Sequence, residues 1–191
     1  MISMARTWQE IPGFFNFDDL YFTVVEEAPQ VAHFVEVGAM LGRSVVYLAT
    51  EVKKSGKQIQ IDAIDLWDIV GMPDLPQEIW NSVGKDGIYD IFCHNIKACF
   101  VDDIIRPIRM SSIEASKLYE DQSLDFVFID ANHEYEHIMK DLLHWYPKVK
   151  IGEVFGGHDW DWTGVRRAVE EFFGALNKEI RIERTSWVII K

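Results

Sequence analysis

From Val31 onward, short apolar segments rich in β-branched and aromatic residues alternate with segments of helical periodicity. This alternation is typical of a parallel sheet whose strands are joined by crossover helices. The segment Leu124 to Asp130 is almost continuously apolar, as expected for a strand with both faces buried under helices. The sequence therefore predicts an α/β protein with a doubly wound sheet.

Individual strands and helices can be assigned within this pattern. Strands are predicted at Val31 to Val37, Ile59 to Ile64, Ile104 to Arg109, Leu124 to Asp130 and Val154 to Gly157, with a terminal antiparallel pair at Glu179 to Glu183 and Trp187 to Ile190. Helices are predicted at Val45 to Lys54, Ile88 to Val101, Ser112 to Tyr119, Tyr135 to Trp145 and Thr163 to Leu176. The glycine- and proline-rich segment Asp68 to Gly87 is predicted to be a long lid or binding loop.

The length of the chain predicts one domain. Its 191 residues are 48% hydrophobic, which is enough to fill a single core. The aromatic-rich residues 1–30 are predicted to form a helical cover on a core formed by residues 31–191.

The excess of acidic residues limits the classes of partner. Lys and Arg total 19 against 31 Asp and Glu, and the formal net charge is -12. Such a charge repels nucleic acid and anionic membranes, so neither is expected as a partner. Cys93 and Cys99 lie in an apolar helical stretch and are interpreted as reduced core residues. These features predict a cytoplasmic protein, and formation of a homo-oligomer stays open.

Polar residues follow the predicted strands at the point where each strand ends. They are Glu36 to Gly38, Asp65, Ser111 and Ser112, Asp130 to His133, and Gly157 to Asp159. In open α/β sheets, ligands bind beyond the carboxyl ends of the strands, near the point where the strand order reverses. The sequence therefore predicts a binding site at this edge of the sheet.

The turn after the first strand indicates a cofactor. Gly38 and Gly42 join this strand to the following helix and let backbone amides approach a ligand closely. A dinucleotide fold would have a further glycine where this chain has Met40. S-adenosylmethionine lacks a pyrophosphate and needs one acid near its ammonium group and another on its ribose, roles that Glu36 and Asp65 could fill.

Two runs of residues then resemble a known family. Phe34 to Gly38 with Gly42, Arg43 and Ser44 is similar to the first motif of class I S-adenosylmethionine-dependent methyltransferases. Leu124 to Tyr135, with Asp141, Trp145, Pro147 and Gly156 to Asp159 after it, resembles the subgroup with the cephalosporin-modifying and macrolide sugar O-methyltransferases. The resemblance extends from Val31 to the C-terminus and departs at Glu153, where a second glycine is usual. It implies a single Rossmann-like sheet of seven mostly parallel strands, the last antiparallel.

The turn and the resemblance together predict the residues that contact the cofactor. They are Glu36, Gly38, Gly42, Ser44, Asp65, Ser112, Ile113 and Asp130. Ser111, Ser112 and Ile113 match the family segment that borders the adenine, which implies a hydrogen bond from a serine and an apolar wall from Ile113. A helix cap is the alternative for Ser112. Trp67 either covers the adenine or ribose or belongs to the core.

Methyl transfer to an alcohol also requires removal of a proton, by a base or with help from a metal. Asp130 and Asp159 end neighbouring strands and could converge on one cation, with His133 facing the same pocket. The resemblance implies magnesium at Asp130 and at an acidic pair ending at Asp159, with His133 as the base. Here the first member of that pair is His158. Because magnesium prefers oxygen ligands, this change either argues against a metal or favours manganese or a softer ion.

Alternatives remain for several of these residues. Asp130 could cap the helix that begins near Glu134, and His158 could support a ligand without being one. The sequence predicts an S-adenosylmethionine-dependent O-methyltransferase that acts on a small-molecule hydroxyl. A catalytically silent protein that binds S-adenosylmethionine and a nucleotide-dependent oxidoreductase are the competing functions, and Met40 argues against the second.

Overall fold

The computed structural model describes residues 7–68 and 87–191. The strands within these residues are β1 (Val31–Val37), β2 (Gln58–Asp65), β3 (Ile105–Arg109), β4 (Leu124–Ile129), β5 (Val149–Gly157), β6 (Arg181–Glu183) and β7 (Ser186–Ile190). The helices are α1 (Asp18–Glu27), α2 (Arg43–Ser55), α3 (Ile88–Ala98), α4 (Ser112–Ser116), α5 (Tyr135–Trp145) and α6 (Thr163–Ala175), with short 3-10 turns at Trp8–Glu10 and Tyr146–Lys148.

The strands form one sheet in the order β3-β2-β1-β4-β5-β7-β6. Strands β1 to β5 pair in parallel, and β7 is antiparallel to both β5 and β6. This arrangement confirms the predicted sheet of seven mostly parallel strands with an antiparallel last strand. The strand order reverses between β1 and β4, which places the ligand crevice of such a sheet at their carboxyl ends.

Helices cover both faces of the sheet. Buried side chains of α1, α2 and α3 form one core cluster, and those of α4, α5 and α6 form the other. Strand β4 contributes to both, since Phe126 and Phe128 pack into the first cluster and Val127 and Ile129 into the second. Burial on both faces explains why this strand is almost continuously apolar.

Three elements differ from the predicted boundaries by three residues or more. Helix α3 ends at Ala98, three residues before the predicted Val101. Strand β5 begins at Val149, five residues before the predicted Val154, because Val149 pairs with Leu124 across a register shift. Helix α4 ends at Ser116 and does not reach Tyr119. The Tyr119 hydroxyl donates to buried Asp62 at 2.7 Å, and the residue packs in the second core cluster.

The N-terminal segment packs on the first core cluster. Tyr21 of α1 is fully buried there, and the Trp8 ring lies edge-on to Tyr47 of α2. Arg43 Nη1 donates to the Gly13 carbonyl at 2.8 Å and ties the segment to the start of α2. The domain division at residue 30 stays a prediction.

None of the helices within residues 7–68 and 87–191 combines the length and the apolar character needed to cross a bilayer. The loop predicted from Asp68 to Gly87 lies outside the described residues except for its two ends.

Candidate active site

Backbone hydrogen bonds bring the predicted strand ends together at one edge of the sheet. Gly38 N donates to Ile64 O at 2.8 Å, Asp130 N to Val37 O at 2.8 Å, and His158 N to Ile129 O at 3.0 Å. The residues that follow β1, β2, β4 and β5 are therefore neighbours. This edge is where the sequence places both cofactor and chemistry.

Gly38 has a second reason to be glycine besides its turn. Its φ of +98° is unfavourable for other residues, and a Cβ would lie 1.9 Å from the Asp130 carbonyl oxygen. The turn after β1 thus lies directly against the main chain that ends β4. Gly42, with φ +92°, precedes α2 and lies close to the Phe92 ring.

Asp65 binds the same turn through its carboxylate. Oδ2 accepts from Met40 N at 2.9 Å, and Oδ1 accepts from Trp67 N at 2.7 Å. Burial raises the pKa of Asp65, while these amide hydrogen bonds act in the opposite direction. Each carboxylate oxygen can accept more than one hydrogen bond, so the arrangement leaves Asp65 able to meet a ribose hydroxyl.

Glu36 lies beneath the turn and is enclosed. Its side chain is 0% exposed, Oε2 accepts from the Tyr21 hydroxyl at 2.7 Å, and Oε1 accepts from the Ser44 hydroxyl at 2.5 Å. Burial raises the pKa of Glu36 to about 8 even against these two hydrogen bonds. The carboxyl group is therefore mainly protonated at neutral pH and joins α1, β1 and α2. Contact of Glu36 or Ser44 with a cofactor stays a prediction.

This buried carboxyl makes stability depend on pH. Folded Glu36 keeps its proton up to pH about 8, whereas the ordinary value for glutamate is 4.5. The folded state thus binds more protons between these values, and stability falls as pH rises through that window. Between pH 6 and pH 9 we expect the unfolding free energy of Glu36→Gln to fall by about 3 kcal/mol less than that of wild type, because glutamine does not titrate. Urea denaturation at both pH values measures this, and identical losses would contradict it.

Trp67 belongs to the core. It is 3% exposed, its ring packs against Tyr89 and Phe92, and its Nε1 donates to Met40 O at 2.7 Å. The indole therefore stabilises the turn after β1 through Met40. Contact of Trp67 with adenine or ribose stays a prediction.

Ser111 and Ser112 have separate roles. Ser111 is the N-cap of α4 and accepts from Glu114 N. Ser112 donates its hydroxyl proton to Asp141 of α5 and accepts from Trp145 Nε1 at 2.8 Å. The helix-cap alternative for Ser112 is thus filled by Ser111, and Ile113 is half-buried beside it.

Asp130, His158 and Asp159 form a cluster at the ends of β4 and β5. One potential ligand atom from each lies within 4.8 Å of the others. His158 Nδ1 is 3.1 Å from Asp159 Oδ1 and 3.5 Å from Asp130 Oδ1. Burial raises the pKa of Asp130, although the hydrogen bond with His158 opposes this.

The electrostatics of the cluster favour a positive charge between the two carboxylates. Burial alone would lower the pKa of His158, but Asp130 and Asp159 outweigh it and raise the value to about 10. Burial would raise the pKa of Asp159, but hydrogen bonds to His133 and His158 hold it well below its usual range. A protonated imidazole or a bound cation would each satisfy this position.

His133 is attached to the same cluster. Its Nε2 lies 2.7 Å from Asp159 Oδ2, and its ring stacks on Trp162 with centroids 4.6 Å apart. The hydrogen bond to Asp159 raises the pKa of His133, against a smaller opposing effect of burial. The close approach of α6 fixes this turn, since a Cβ on Gly164 would lie 2.3 Å from the His133 carbonyl oxygen.

Sequence reasoning missed two residues that hold His158. Its Nε2 lies 2.9 Å from Asn16 Oδ1 and 2.8 Å from Thr185 Oγ1. Because an amide oxygen only accepts, Nε2 carries a hydrogen and Nδ1 faces the carboxylates. Sequence reasoning also missed the contact of Trp162 with His133. The aromatic residues around Asp159 were the signal that could have indicated it.

A family sequence model and solved structures both match this chain. The sequence model of a family described as "Methyltransferase domain" matches residues 35–160, more than half of the chain. No curated protein sequence matches this chain significantly.

Solved methyltransferases share the fold at low identity. The O-methyltransferase NovP has a TM-score of 0.69 at 15% identity, covering 91% of this chain and 78% of that one. The O-methyltransferase from Bacillus cereus in complex with SAH has a TM-score of 0.65 at 16% identity, covering 96% and 86%. CalS11, a TDP-rhamnose 3'-O-methyltransferase of calicheamicin biosynthesis, has a TM-score of 0.59 at 15% identity, covering 91% and 77%.

The family match spans the turn after β1, the acid that ends β2, and the cluster at the ends of β4 and β5. It therefore favours methyl transfer over the oxidoreductase function that the same sheet could host. The chain belongs to the methyltransferase-domain family and is a class I S-adenosylmethionine-dependent methyltransferase.

Proposed function

We propose that this enzyme methylates a hydroxyl oxygen of a small-molecule acceptor and that His133 is the base. The observation that carries the proposal is the pairing of His133 Nε2 with Asp159 Oδ2 at 2.7 Å, at the strand edge where the family match lies. A base held by a carboxylate beside the cofactor edge is suited to an acceptor that must lose a proton.

Asp159 sets which nitrogen of His133 acts. A carboxylate only accepts, so Nε2 carries the hydrogen in this pair and Nδ1 is the nitrogen that can take a proton. Trp162 stacks on the imidazole and restricts its rotation. An acceptor hydroxyl that donates to Nδ1 would lose its proton there while its oxygen bonds the methyl carbon. The bond between that carbon and the cofactor sulfur would break, with S-adenosyl-L-homocysteine as the leaving group.

The residues of the turn fit the cofactor, which supplies an electrophilic methyl group on a sulfonium when bound. Asp65 is placed to accept from ribose hydroxyls at the end of β2. Since Glu36 is enclosed by Tyr21 and Ser44, Asp130 is the better-placed acid for the ammonium group. The main chain of Asp130 packs against Gly38, so the Asp130 side chain is attached next to the same turn.

A divalent cation is the second part of the proposal. Asp130 Oδ1, His158 Nδ1 and Asp159 Oδ1 would hold it. The ion would replace the proton on His158 Nδ1, while Nε2 keeps its hydrogen toward Asn16. Two oxygens and one imidazole nitrogen fit manganese or a similar borderline ion better than magnesium. When bound, the ion would polarise the acceptor oxygen and ease loss of its proton.

Replacing His158 with aspartate tests this ligand set. The variant His158→Asp supplies an oxygen ligand and adds negative charge, so we expect it to bind Mg²⁺ on the order of 10-fold more tightly than wild type. Isothermal titration calorimetry measures the affinity, with His144→Asp as the control for added charge alone. Equal gains in both variants would show that His158 does not face a cation.

Turnover on hydroxyl compounds tests the function itself. We expect EDTA to suppress methyl transfer and Mn²⁺ to restore it. Full activity in excess EDTA would contradict the role of the cation while leaving that of His133 intact. Cofactor binding with no turnover on any acceptor would favour a catalytically silent S-adenosylmethionine-binding protein.

Nucleic acid and membranes are not expected as partners, and a cytoplasmic location and a homo-oligomer stay predictions.

A further inference from the structure

Ser112 lies between two fixed partners on α5. Its hydroxyl donates to Asp141 Oδ1 and accepts from Trp145 Nε1 at 2.8 Å. Both partners are buried, with Asp141 5% and Trp145 0% exposed. The serine itself is half-buried at the edge of the site. Its hydroxyl orientation is thus determined by the protein before any ligand binds.

These partners determine what Ser112 can still bind. An indole N–H only donates and an ionised carboxylate only accepts, whereas a hydroxyl has one proton and two lone pairs. The proton is used by Asp141 and one lone pair by Trp145. Burial raises the pKa of Asp141 to about 6, so it is mainly ionised near neutral pH. The remaining lone pair makes Ser112 an acceptor toward a ligand.

Ser112 lies next to the strand end that we assign to the ribose. Met110 N donates to Asp65 O at 3.1 Å, so the turn before α4 adjoins the acid that we assign to the ribose. Strand β3 pairs with β2, so a purine that extends from a ribose at Asp65 toward the end of β3 would reach Ser112. Adenine carries a 6-amino group that donates, whereas hypoxanthine carries a 6-oxo group that only accepts.

We propose that Asp141 is a positioning residue that makes Ser112 an acceptor for the 6-amino group of the adenine, so that the enzyme discriminates against a 6-oxo purine. The inference rests on the proposed function, because it assumes that the cofactor lies along this edge. It assigns a specificity role to a buried acid that would not touch the ligand.

The test compares S-adenosyl-L-homocysteine with its deaminated analogue, S-inosyl-L-homocysteine, by isothermal titration calorimetry. An unpaired or opposed polar group costs about 1–3 kcal/mol, so we expect wild type to bind the analogue roughly 5- to 150-fold more weakly. Ser112→Ala should reduce this ratio. Asp141→Leu should raise affinity for the analogue, because the freed serine proton can then donate to the 6-oxo group.

Conservative variants separate positioning from damage. Asp141→Asn keeps an oxygen that accepts from Ser112 and should retain most of the wild-type ratio. Ser116→Ala removes a hydroxyl of the same helix, which donates to the Ile113 carbonyl, and should leave the ratio unchanged. A ratio unaltered in Asp141→Leu or in Ser112→Ala would overturn this inference alone. Failure of wild type to bind S-adenosyl-L-homocysteine would overturn the proposed function and this inference with it.

Discussion

Replacing His133 with alanine is expected to lower kcat by roughly 10²- to 10⁴-fold, the usual contribution of a general base. The variant loses the nitrogen that would take the acceptor's proton, while Gly38, Asp65 and Asp130 remain in place. Affinity for S-adenosyl-L-homocysteine should therefore stay within a few-fold of wild type. Steady-state kinetics with a hydroxyl acceptor measure kcat, and calorimetry with S-adenosyl-L-homocysteine measures the affinity.

His137→Ala is the matched control for this substitution. His137 is exposed on α5 and lies four residues from His133, so its loss tests a nearby histidine with no assigned role. We expect its kcat to equal that of wild type. If His133→Ala retained full turnover, another group would have to remove the proton or the acceptor would not need to lose one.

Gly38→Ala is expected to destabilise the fold severely. The new Cβ would lie 1.9 Å from the Asp130 carbonyl oxygen and 2.5 Å from its carbon, at a φ of +98°. Backbone strain and overpacking each cost about 1–3 kcal/mol, so we expect a loss of roughly 2–6 kcal/mol. This is a large part of the 5–15 kcal/mol typical of a domain. Urea denaturation gives the change in unfolding free energy.

Gly56→Ala separates the two causes. Gly56 ends α2 with φ +70°, and a Cβ there would meet nothing within 4 Å. It should therefore lose only the cost of the left-handed conformation, about 1–2 kcal/mol. Equal losses in both variants would show that the contact with Asp130 is not rigid. A residue bulkier than alanine at Gly38 would make the same contact, so a loss of cofactor binding in such a variant could result from loss of the fold.

Much of the fold and the position of the site follow from local sequence. Strand β4 is recognisable because both of its faces are buried, and α5 begins and ends where its periodicity does. Parallel strands end at a common edge, so Asp65, Asp130 and Asp159 could be placed together without coordinates. Their placement at one edge required only the order of elements along the chain.

The state of individual side chains could not be read in this way. The contact of His158 with Asn16 joins residues 142 positions apart, and it depends on how the N-terminal segment docks. The sequence places Glu36 in the motif as an acid that could bind the cofactor. In the fold it is buried against Tyr21, and its carboxyl group keeps a proton at neutral pH. Such properties arise from tertiary packing, which periodicity and spacing do not encode.

Transfer of a labelled methyl group from S-adenosylmethionine to a panel of phenolic and sugar hydroxyl compounds tests O-methylation most directly. We expect label on a hydroxyl oxygen of at least one compound, with the rate reduced in His133→Ala and unchanged in His137→Ala. Label found only on nitrogen, sulfur or carbon acceptors, with every hydroxyl unmodified, would contradict the proposed function.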